Sequence, residues 1–365
     1  MQAFLQWGTP LHREGTSRCD PRPSARQVRD TDAGGSRIER RLFALALALL
    51  LAVSLPVSAL ALDWYIDDGD ITINATADGK QTVKQGNKDA ADDDPTITQR
   101  DSSKETSNTI TIDADEHTTA NVTLDGVNIN TDADANRRSE TAFRTEGEGD
   151  VNIELDGSNT LWSGYSSNAA GLNKGNSGTL TINDEDNNGT LEATGGYGGA
   201  GIGGGQHSSA SDITITGGTI TARGSNGGAG IGGGASDING PYCNGSNITI
   251  SGDAQVKAQG GTEHNEYNEG AGAGIGNGGK QGKNEAGKKV PVDGAEVEPD
   301  TSGLTENGRL EYYAPGADME NDAPEKVIEN KPEASAPSGA PAPVYHVTDK
   351  DGNQSLIPRP GRAAC

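Results

Sequence analysis

The chain has 365 residues, 29 Lys/Arg against 53 Asp/Glu for a net charge of −24, and 53 glycines with only 4% aromatic residues. So acidic a surface supplies no patch to neutralise phosphates, which excludes nucleic acid as a partner. Scarce aromatics, with abundant Gly, Asn, Asp, Thr and Ser, exclude a bulky α/β core and favour short elements separated by frequent turns.

The first signal in chain order is an apolar run over residues 42–53, preceded by Arg37, Arg40 and Arg41 and followed by Pro56 and Ala59-Leu60-Ala61. This pattern predicts a secretory signal cleaved after Ala61. Twelve apolar residues fall short of the ~20 that span a bilayer, so a secreted, extracellular protein is expected rather than a membrane-anchored one. The polar, Arg-rich residues ahead of the run exceed an ordinary signal n-region and point to a start site further downstream. Residues 1–61 hold 8 of the Lys/Arg and 5 of the Asp/Glu, so the remainder carries −27. That charge favours solubility, cation binding, and neutral or cation-bridged ligands.

From about residue 62 to 285 one pattern repeats. Val122–Leu124, Val151–Leu155, Leu180–Ile182, Ile213–Ile215 and Ile248–Ile250 each open on an apolar residue facing the same way as the third, with starts 29, 29, 33 and 35 residues apart. In four of the five units a Gly-containing turn leads into a second alternation, such as Gly126-Val127-Asn128-Ile129 or Thr219-Ile220-Thr221-Ala222. Period two and β-branched content predict strands. A unit of this length cannot bury its inward face alone, but stacked copies share one core. The expected fold is an all-β parallel β-helix with a narrow interior of Ile, Leu, Val and Ala.

Gly199–Gly204 and Gly228–Gly233 match G-x-G-x-x-G, but the string recurs three times and precedes a strand instead of opening a helix. A dinucleotide loop needs the helix. The strings therefore predict tight corners, with Ala200, Ile202, Ala229, Ile231, Ala273 and Ile275 pointing inward.

Asp184 to Glu192 (DEDNNGTLE) carries oxygen ligands at positions 1, 3, 5 and 9 of a calcium loop and its bending glycine at 6, with Gly195 where the bidentate Glu belongs. Calcium at Asp184, Asp186, Asn188 and Glu192 is one reading, and a hairpin closed by Asn188-Gly189 is the other. Trp162, Tyr165, Tyr197, Tyr242 and Tyr267 sit among Asn, Asp, Gly and Ser in loops or at strand ends. An aromatic in such company offers a flat apolar face to sugar C–H groups and polar neighbours to its hydroxyls, and these five are the candidate ligand-binding residues. Trp162 equally suits a cap on the core.

No catalytic constellation is present: neither a nucleophile elbow nor HExxH occurs, and the histidines lack partners in a recognisable context. Cys19 falls in the leader, leaving Cys243 and Cys365, which make no disulfide framework. After about Lys283 the repeat gives way to a Glu/Pro/Ala/Gly-rich stretch, and a disordered linker is expected over 286–343. Val344–Thr348 reads as a strand before a turn at Asp351-Gly352, so 344–365 is expected to be a truncated hairpin or an unfolded tail.

The stretches Val122–Ile129, Val151–Leu161 and Asp212–Ile220 resemble the clostridial-type carbohydrate-binding domain family of secreted right-handed β-helices. The resemblance implies a pectate-lyase-like shape, binding of a cell-wall polysaccharide, and bound calcium. The glycine strings depart from that family's pattern and resemble surface proteins of anaerobic gut bacteria. A non-catalytic polysaccharide-binding protein is the leading expectation. The alternatives are a lyase on the same scaffold, with Arg144 or Arg223 as base, and an adhesin-like structural protein. No LPxTG-type sorting signal, lipobox cysteine or C-terminal apolar anchor is present, so free secretion is expected over surface attachment.

Overall fold

The computed structural model describes residues 63–237, 240, 242–264, 266–330, 344–348 and 354–358. All belong to one compact unit spanning Ser58–Cys365. The expected leader and its cleavage site lie outside the described residues. Within them the chain winds as a parallel β-solenoid, and the only helical elements are three 3-10 turns of three residues each. None of the helices in the described residues is long and apolar enough to cross a membrane.

A full coil contributes one strand to each of three sheets in turn. The first sheet stacks Asp63–Tyr65, Thr96–Thr98, Thr119–Asp125, Asp150–Asp156, Leu180–Asn183, Ala210–Ile215 and Gly245–Ile250, all parallel. The second begins with Asn128–Asn130 and continues through Ser158–Trp162, Thr190–Thr194, Thr219–Arg223 and Gln255–Gln259. The third runs from Ile71–Thr76 through Ile110–Ala114, Phe143–Gly147 and Leu172–Lys174 to the pairs Ile202–Gly203, Ile231–Gly232 and Ile275–Gly276.

Alternation along each strand turns every second side chain inward, and parallel register stacks like on like. Val122, Ile153, Ile182, Ile215 and Ile250 form one such column, none more than 1% exposed. Burying each of these side chains contributes about 1.5–3 kcal/mol. The register corrects one spacing, because Val151 pairs with Ala120 and Ile153 with Val122. The second-sheet turn is therefore preceded by a first unit that starts at Ala120, 31 residues before Val151. A slip of two preserves the buried face, so apolar pattern alone could not distinguish Ala120 from Val122 as the start.

The ends are closed by different devices. At the N-terminal end Trp64 covers the column of Ile97, Leu124 and Leu155, fully buried, with its indole N–H donating to Asp92 at 2.9 Å. Lys80–Gln85 and Lys88–Ala91 extend the third sheet there as antiparallel strands. At the C-terminal end the solenoid continues past the expected linker boundary. Arg309–Tyr313 adds a parallel rung to Gln255–Gln259, setting Leu310 on Val256 and Tyr312 on Ala258. Lys326–Glu329, Val344–Thr348 and Gln354–Pro358 then follow as antiparallel strands.

The expectation of a disordered linker over 286–343 is thus corrected for residues 286–330; residues 331–343 lie outside the described residues. A preformed rung needs only Leu310 and Tyr312 buried on it, 0% and 5% exposed, and an acidic, Pro-rich average conceals so small an apolar signal. Capping strands of this kind protect the open end of a solenoid.

Candidate functional site

The corner where each coil leaves the second sheet for the third carries most of the candidate aromatics. Tyr165 opens the 3-10 turn Tyr165–Ser167, which ends at Asn168 in the left-handed region, φ 54°. One coil on, Tyr197 lies directly above, its backbone N–H donating to the Tyr165 carbonyl at 3.1 Å. Such close stacking depends on the preceding Gly196, where a Cβ would overlap the Gly164 carbonyl oxygen.

Two coils further, the segment from Thr262 to Asn268, longer than the matching turn at Ser225–Asn226, brings His264 and Tyr267 back over Tyr197. The Tyr197 ring meets Tyr165, His264 and Tyr267 edge-on at 5.3, 5.4 and 6.2 Å between centroids. His264 and Tyr267 stack at 4.9 Å. Edge-to-face pairs in this range favour one arrangement of rings over a loose cluster.

Polar groups underpin the rings. The Tyr197 hydroxyl lies 3.2 Å from His264 Nδ1 and donates to Glu269 Oε2 at 3.3 Å. Glu269 is 3% exposed, and burial holds its carboxyl above the usual range. Burial also raises the Tyr197 phenol, with the Glu269 charge acting the same way, so the hydroxyl stays protonated at neutral pH and serves as donor. Tyr165 and Tyr267 are about half exposed, at 51% and 49%. The corner therefore presents apolar ring surface beside a fixed phenol and carboxylate.

Three of the five candidate aromatics, Tyr165, Tyr197 and Tyr267, meet here. Trp162 does not cap the core: Leu161 points inward between Ile129 and Ala193, while Trp162 stands outward on the second sheet between Asn130 and Thr194. Tyr242 is separate, with the Lys280 ammonium 3.3 Å above its ring. His264 and Glu269 were not singled out from sequence as members of a site; the long insertion between Gln259 and Ile275 was the available signal.

The candidate calcium residues divide. Asp184 is buried and turns back into its own loop, accepting from the N–H of Asn188 at 3.1 Å and of Gly189 at 2.9 Å. Asn188 donates to Asp186 at 2.7 Å and accepts from the Gly157 N–H at 3.3 Å. Glu192 lies on the outward face of the second sheet, paired with Arg223 at 3.2 Å. The four do not converge as one donor set, and both Asp184 oxygens already serve the turn. The hairpin alternative is corrected, because Leu180–Asn183 and Thr190–Thr194 belong to different sheets and the loop is a solenoid corner.

Arg144 and Arg223 likewise sit apart, on the third and second sheets, each paired with a carboxylate: Arg144 with Glu146 at 2.9 Å and Arg223 with Glu192.

Residues 187–206, 213–235 and 248–279 match the family model for the beta helix repeat. With the stacked sheets, these matches define a parallel β-helix repeat protein. No curated protein and no solved structure gives a match to the chain.

Proposed function

We propose that this is an exported, non-catalytic protein that binds a polysaccharide at the tyrosine corner. The observation that carries the reading is the meeting of Tyr165, Tyr197 and Tyr267, from three separate coils, around His264 and a buried Glu269. Half-exposed rings backed by a phenol and a carboxylate suit sugar C–H faces and hydroxyls. Arg144 and Arg223 being paired with carboxylates away from the corner favours binding over lyase cleavage.

Retention of the whole secreted chain on a panel of insoluble and acidic polysaccharides, with calcium and with chelator, tests this, while absorbance is followed for unsaturated product. Retention without product, lost in Tyr165→Ala/Tyr267→Ala, is the expected outcome. Unsaturated product from polygalacturonate would establish a lyase instead. Retention that survives the double substitution would move the site elsewhere, and loss with chelator would give calcium a role.

A further inference from the structure

The outward face of the first sheet carries a groove of about 690 Å³ on a different side of the solenoid from the tyrosine corner. Its floor is a set of side-chain columns produced by register. Asn121, Asn152 and Thr181 stand in line on successive coils, and Thr123, Glu154 and Asn183 form the next column.

Hydrogen bonds fix these side chains. Asn152 donates to Asn121 at 3.1 Å, Asn183 to Glu154 at 2.9 Å, and Thr216 to Asn183 at 2.8 Å. At the rim, the loop held by Asp184 projects Glu185 and Asp186, and the Glu185 N–H binds the second Glu154 oxygen at 2.6 Å. Asp156 and Asp94 complete a set of five carboxylates, and no Lys or Arg lines the groove.

We propose that this groove is a second ligand site and that it takes an amine-bearing glycan, a chain of glucosamine-type units. Two features select that class. Rung spacing of about 4.7–4.9 Å sets polar side chains in line along the solenoid axis at close to the length of a sugar unit, so a glycan lying along the axis meets an amide, hydroxyl or carboxylate on each coil.

Five carboxylates with no cation among them select a ligand that brings positive charge. Burial first, then neighbouring carboxylates, hold Glu154 and Asp156 above their usual range, and a bound ammonium relieves that repulsion. A uronic acid polymer would add like charge and is disfavoured.

The test uses the whole secreted chain, with a short glucosamine oligomer and its fully N-acetylated counterpart titrated at low and moderate salt. The glucosamine oligomer is expected to bind more tightly than the acetylated one and to weaken with salt. Glu154→Gln/Asp156→Asn should weaken it about tenfold, the scale of losing two partly exposed ion pairs. Glu306→Gln/Glu320→Gln removes the same charge from exposed positions away from the groove and should leave binding unchanged.

Thr181→Lys, which places an ammonium on the groove floor, should abolish binding without touching the carboxylates. Tyr165→Ala/Tyr267→Ala should have no effect, which separates this site from the corner. Equal affinity for the two oligomers, no binding of either, equal losses in the two carboxylate pairs, or full binding by Thr181→Lys would each overturn the proposal.

Discussion

The third sheet is constructed in two ways along one solenoid. In the early coils its strands are three to six residues long and filled by side chains, with Ile71, Ile110, Phe143 and Leu172 stacked in one column. In the later coils each strand shrinks to two residues, Ile-Gly, and backbone packs on backbone. Ile202, Ile231 and Ile275 continue the column, while Gly203, Gly232 and Gly276 hold φ of 137°, 135° and 137° and rest on the carbonyls beside them. Early coils draw stability from side-chain volume, and later coils from the absence of a Cβ. The same backbone contact sets Tyr197 over Tyr165, so the glycine coils shape the candidate site as well as the core.

The largest effect is expected where backbone meets backbone. Gly203→Val must place a β-branched side chain at φ 137° and against the Gly232 carbonyl, and a loss of about 4 kcal/mol or more is expected in chemical denaturation. Gly79→Ala, at φ 76° with open space around it, should lose only about 1 kcal/mol. Similar losses at the two positions would show that strain alone, and not coil-on-coil contact, governs the glycine strings.

Side-chain deletions come next and sharpen the contrast. Phe143→Ala should lose about 3–5 kcal/mol and Ile231→Ala about 2–4 kcal/mol, scaling with the cavity each leaves. A larger loss at Ile231 would mean that the later coils depend on side-chain volume after all.

The smallest effect lies at the junction of the two constructions. Lys174 follows Ile112 and Thr145 in an inward column, 7% exposed, and its ammonium donates to the carbonyls of Asn176 and Gly178 at 2.7 and 2.8 Å. Burial lowers its pKa below the ordinary 10.5. Between that lowered value and 10.5 the unfolded chain binds more protons, so this residue makes stability rise with pH across that window. Lys174→Met should remove the slope while changing stability at neutral pH by about 1 kcal/mol or less, since hydrogen bonds and charge burial are lost together. Denaturation midpoints measured at several alkaline pH values would show an unchanged slope if Lys174 were not its source.

Much of this architecture was legible in the chain. Alternation at Val151–Leu155 and Ile213–Ile215 marks strands because a strand buries every second residue, and repetition marks stacking because one coil has no core of its own. The inward placement of Ala200, Ile202, Ala229 and Ile231 followed from the glycines around them. The C-terminal coil was less legible: Arg309–Tyr313 sets Leu310 and Tyr312 onto a rung that sequence does not display. Asp184 shows why a ligand spacing by itself leaves two roles open, since its carboxylate oxygens also serve to close a turn.

Sequence by itself determined the all-β repeat, its inward residues and the glycine corners, because these depend on local periodicity and backbone freedom. Only the tertiary structure decided which loop residues become neighbours. Tyr165, Tyr197 and Tyr267 meet because coils of unequal length fold one corner over another, and Asn121, Glu154 and Asn183 share a groove because register aligns outward positions about thirty residues apart. Outward side chains carry no apolar periodicity, so their grouping becomes visible only once the coils are stacked.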